Sequence, residues 1–65
     1  MTKLVFIVNS WEIEEYFGKP VVIFRGIGQL GAVEVFNVPV SQISISELEK
    51  IKSGTSIDRH TLKII

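Results

Sequence analysis

The chain has 65 residues, a formal net charge of zero, 46% apolar residues and no cysteine. Those figures exclude disulfide staples and thiolate metal sites. They also count against the basic excess with which nucleic-acid binders neutralise phosphate.

At this length residues 1–65 form a single domain, and a chain so short buries only roughly 60% of its unfolded surface. Ten Ile and eight Val against four Leu tilt the composition toward strands. No apolar run approaches the length of a membrane span. The opening Met1-Thr2-Lys3 lacks the layout of a signal peptide, so the expected compartment is the cytoplasm. His60 is the only histidine and would need carboxylates to complete a zinc site, so neither a metal nor a cofactor is expected.

Residues 3–8, Lys-Leu-Val-Phe-Ile-Val, are apolar on both faces of an extended chain and predict a central strand. Asn9 and Glu12 then have the spacing of a capping box. Ile13, Tyr16 and Phe17 fall on one helical face, with Gly18 as a stop and Pro20 beyond it. This pattern predicts a two-turn helix. An extended segment is the alternative, because so short a helix does not hold itself.

Residues 20–38 read as a β-hairpin: two β-branched runs around a loop with Gly26, Gly28 and Gly31. Val21, Ile23 and Arg25 share one face, and Val33 and Val35 follow the same alternation in the return strand. Glu34 interrupts the apolar pattern and is expected to reach solvent or a cation. Pro39 ends the ladder.

The three glycines spell G-x-G-x-x-G, which resembles the dinucleotide-binding loop and, with Val33, the protein-kinase loop. The β-branched residues after Gly31 do not open a helix, and the kinase lysine and its H-R-D and D-F-G segments are missing. The glycines are therefore expected to serve a turn that needs positive φ.

Residues 41–46 alternate as a short edge strand. Ser46 then resembles an N-cap, with Glu47 and Glu49 in the first turn and Lys50 and Lys52 near the end. Ile45, Leu48 and Ile51 form that helix's apolar stripe. Residues 55–59 read as a loop and residues 61–65 as a final strand.

The resulting fold class is α+β: a small four-stranded, mainly antiparallel sheet with one or two short helices, in the βαββαβ order of the ferredoxin-like split. If residues 11–17 are extended, the alternative is a small SH3-like β-barrel with one helix. In both cases one sheet face, carrying Val5, Ile7, Val21, Ile23, Val33 and Val35, has nothing left in the chain to cover it. That face is the expected protein interface, for another copy or for a different protein.

The function expected from this is a small, non-enzymatic, self-associating protein-binding module acting as an accessory or inhibitory regulatory factor. The alternative is a small nucleic-acid-binding regulator using Arg25, Lys50, Lys52, Arg59 and Lys63, with Trp11, Tyr16, Phe24 and Phe36 as conceivable base-stacking groups. Asp58 and His60 share a strand face but lack a patterned nucleophile, so no catalytic site is expected.

Overall fold

A computed structural model describes residues 4–65. Its four strands are β1 Val5–Tyr16, β2 Lys19–Ile27, β3 Val33–Pro39 and β4 Thr55–Asp58. All neighbours are antiparallel, in the order β3-β2-β1-β4. A 3-10 turn, Val40–Gln42, and one short helix, α1 Ile45–Lys50, lie between β3 and β4.

The ferredoxin-like order is therefore overturned. Residues 11–16, expected to be helical, continue β1 without a crossover. The Asn9-Ser10 step is a bulge in the ladder: Val8 pairs with Gly26, and the next pair is Ser10 with Arg25. One extra residue shifts the alternation. Phe6 and Val8 before it and Trp11 after it consequently all face inward. The SH3-like alternative shares the extended residues 11–16 and the single helix with this structure, but the barrel does not close. β3 and β4 remain the free edges of a curled half-barrel.

Five further expectations are corrected. Residues 41–46 form no edge strand; they belong to the 3-10 turn and the start of α1. The N-cap is Ser44, whose carbonyl accepts from the Leu48 amide at 2.9 Å, while Ser46 lies inside the helix. Ile45 stays exposed, so only Leu48 and Ile51 of the expected stripe are buried. The polar-looking residues 55–58 are strand β4, because Ile57 is drawn fully into the core opposite Phe6. The strand expected at 61–65 reduces to a single bridge between Ile64 and Ile57. Of the first expected strand, Lys3 lies outside the described residues.

The inner face is organised by phenylalanines. Phe36 meets Phe6 edge-on at 4.8 Å and stacks on Phe24 at 5.2 Å, arrangements that add to the gain from burial. Ile43, Leu48 and Ile51 complete the core, with Val40 packed against it. The Trp11 indole N–H donates to the Ile51 carbonyl at 2.8 Å, tying the second half of β1 to the end of α1. At the open seam Arg59, just past β4, bonds Glu34 of β3 at 3.2 Å and lies 4.6 Å above the Phe36 ring. Glu34 thus finds the cation expected for it.

Gly26 is fixed by close approach. A Cβ there would sit 2.0 Å from the Ile7 carbonyl oxygen and 2.9 Å from the Phe6 ring. Gly26→Ala is expected to lower stability by about 1–3 kcal/mol, the range for overpacking, read as a lower urea midpoint at unchanged slope.

Candidate functional site

The parity set by the bulge leaves a second, outer face. Ile7 lies opposite Ile27, and Ile27 lies opposite Val33, so three apolar side chains cross three neighbouring strands in one row. Their exposures are 42%, 41% and 81%. Val35, 59% exposed, extends the row along β3. Val5, Val21 and Ile23 share the same face and are half-buried. The six interface residues expected from the sequence thus lie on one face.

Ile27 belongs with them and was missed, because Gly26 looked like the start of the loop. The i, i+2 alternation through Val21, Ile23 and Arg25 was the signal that would have found it.

Ile7, Ile27, Val33 and Val35 line a groove of about 480 Å³. Arg25 is its charged lining residue, and the Ser53-Gly54 turn before β4 forms its far wall. Across the outer face Arg25 bonds Glu12 at 2.5 Å.

At the other end of β1 and β2 an arm projects. Glu12 through Pro20 are all exposed, and Tyr16 pairs with Lys19 around a two-residue loop of Phe17 and Gly18. Phe17 has φ 50° and Gly18 φ 77°. These are the signs of a type I′ hairpin turn, which prefers Asn, Asp or Gly at its first central position. Phe17 is instead bulky, 91% exposed and edge-on to Tyr16 at 4.6 Å. A non-glycine residue held in the left-handed region at a surface points to a use for that side chain. The sequence signal was a single glycine after an aromatic between two alternating runs, and the helical period of Ile13, Tyr16 and Phe17 obscured it.

The five cations expected at a nucleic-acid footprint are not assembled into one patch. Arg25 is on the outer face and paired with Glu12, whereas Arg59 packs on the inner-face residues Glu34 and Phe36. Lys50, Lys52 and Lys63 are exposed near the end of α1 and in the C-terminal segment. Of the aromatic residues considered for stacking, Phe24 is fully buried and Trp11 is bonded to Ile51.

Two amides of the glycine loop are bonded within it. Gly28 donates to Ala32 at 2.9 Å and Gly31 donates to Gly28 at 3.0 Å. The Glu34 carboxylate lies against Gly28, which disfavours an anion there. The Asp58 carboxylate accepts from the backbone amides of His60 and Thr61 at 2.8 and 3.4 Å, an Asx-type turn. The His60 side chain is exposed. Among the described residues no cluster of His, Asp or Glu has metal-ligand placement, and no helix is long and apolar enough to cross a membrane.

No protein-family model, curated protein or solved structure matches the chain.

The strained tip yields a stability prediction. Phe17→Asn places a preferred type I′ residue before Gly18 and is expected to raise the stability of the monomer by up to about 1–2 kcal/mol, the cost of the left-handed conformation to an ordinary residue. Urea unfolding of the two proteins checks it.

Proposed function

We propose that this protein is a small, non-enzymatic binding module that associates with itself through the outer face of its sheet. It acts as an accessory or inhibitory factor by occluding a partner surface. The observation that carries this reading is the exposed row of Ile7, Ile27 and Val33 across three strands, with Val35 beside it. Monomeric domains rarely leave so contiguous an apolar patch open. A chain of zero net charge adds no long-range repulsion against association.

A binding role is also supported over a catalytic one by the chemistry of the polar groups. Asp58 is engaged by turn amides, and the two arginines by carboxylates. The nucleic-acid alternative has less in its favour, because Arg25 and Arg59 serve opposite faces. The cytoplasm is the proposed working compartment, in keeping with a fold held without any disulfide.

Sedimentation equilibrium over a wide concentration range tests the reading. The expected mass is two or more chains, and a 7.3 kDa species persisting at high micromolar concentration would overturn it. In a Val33→Lys, Val35→Lys double variant the oligomer should dissociate. The unfolding midpoint of that variant should match that of the wild-type chain diluted to monomer, because positions exposed in the monomer contribute only about 0.5 kcal/mol each.

A further inference from the structure

We infer that a second copy of this chain seats its Tyr16-Phe17 hairpin tip in the outer groove, and that the exchange is reciprocal about a twofold axis. The inference rests on the self-association reading and names which parts meet.

The outer face has two unlike ends. One end is the groove, opened by Ile7, Ile27, Val33 and Val35. The other is the arm, where Tyr16 follows the parity of Glu12 and Glu14 and so lies on that same face. From Lys19, paired with Tyr16, to Ile27 at the groove, β2 spans roughly 26 Å at the usual strand rise. The midpoint of that span is Ile23. A twofold axis through this row, with the two outer faces opposed and their strands antiparallel, lays each tip over the other copy's groove. Such an isologous contact closes on itself and leaves no free tip to propagate a filament.

Size and charge agree with this seating. An apolar cavity of about 150 Å³ accommodates a benzene ring, so a groove of about 480 Å³ has room for both aromatic rings of the tip. No acidic residue lines the groove among the described residues. Glu14 has no ion-pair partner among the described residues. The twofold lays Glu14, which pairs with Val21, over the Ser10–Arg25 pair of the other copy, and Arg25 is the charged residue of the groove, so charge sets the register.

The chain's other exposed apolar tip is a contrasting case. Leu30 is 95% exposed in the loop joining β2 and β3, but it lies at the groove end of the sheet, beside Glu34 and Arg59. The same axis does not carry it to the groove.

The test compares the wild-type chain with Phe17→Asn and Leu30→Asn by sedimentation equilibrium, with urea midpoints as the folding control. The arm exchange predicts that Phe17→Asn weakens the dimer at least about tenfold, as loss of a buried aromatic anchor does, while its folding midpoint, measured where both proteins are diluted to monomer, does not fall. Leu30→Asn should leave the dimer unchanged. Because the chain has no cysteine, a mixture of Tyr16→Cys and Ile7→Cys single variants should also give a disulfide-linked mixed dimer on oxidation, since the axis lays Tyr16 over the other copy's Ile7. A wild-type dimer that Phe17→Asn leaves intact, with no mixed disulfide, overturns the arm exchange alone. A wild-type chain that stays monomeric overturns the self-association reading and the exchange together.

Discussion

The change of parity in β1 between Val8 and Ser10 is the constraint on which both faces of the sheet depend. A one-residue shift in a strand moves every later side chain to the opposite face. Without the bulge, Trp11 would turn outward and Glu12 would come opposite buried Val22 on the core side, where an unpaired carboxylate is prohibitively costly. With it, Phe6, Val8 and Trp11 lie on one side of a single twelve-residue strand. Gly26 makes this geometry possible, because the strand opposite Val8 comes so close to the Ile7 carbonyl that no side chain fits.

From that parity follows the division of labour between the layers. The inner face takes the cover the chain has after β3: Val40, Ile43, Leu48, Ile51, Ile57 and Leu62. A six-residue helix cannot stand alone, and α1 is held by the burial of Leu48 and by the Trp11 bond just past its end. The half-barrel's seam is bridged by side chains where backbone pairing stops, through Arg59 with Glu34 and Phe36. Nothing in the described chain remains for the outer face. Its apolar row and its groove follow from a sheet with two apolar sides and cover for one.

The same economy explains the contrast among the phenylalanines. Three of the four build or adjoin the core, and the fourth, Phe17, stands at the arm tip in a backbone conformation that a smaller residue would adopt more easily. A stability-optimised hairpin would carry Asn or Gly there. The exposed ring sits on the end of the sheet opposite the groove.

The sequence by itself determined a β-rich antiparallel sheet, one helix near Leu48 and a glycine hairpin, because each rests on local composition and spacing. Alternation also put Val5 with Ile7, Val21 with Ile23 and Val33 with Val35 on a common face within each strand, and the pairing register of the three strands brought those faces together. The sequence could not decide residues 11–16. Ile13, Tyr16 and Phe17 fit a helical period, Trp11 and Ile13 fit a strand period, and the Asn9-Ser10 step serves equally as a cap or a bulge. Tertiary structure made that choice through contacts with no local signature: the Trp11 indole finds the Ile51 carbonyl forty positions along the chain, and β2 supplies the partner that keeps β1 extended. The arm, its exposed tip and the groove all follow from that choice. Long-range pairing, set by burial on the inner face, created them where local propensity was balanced between two answers.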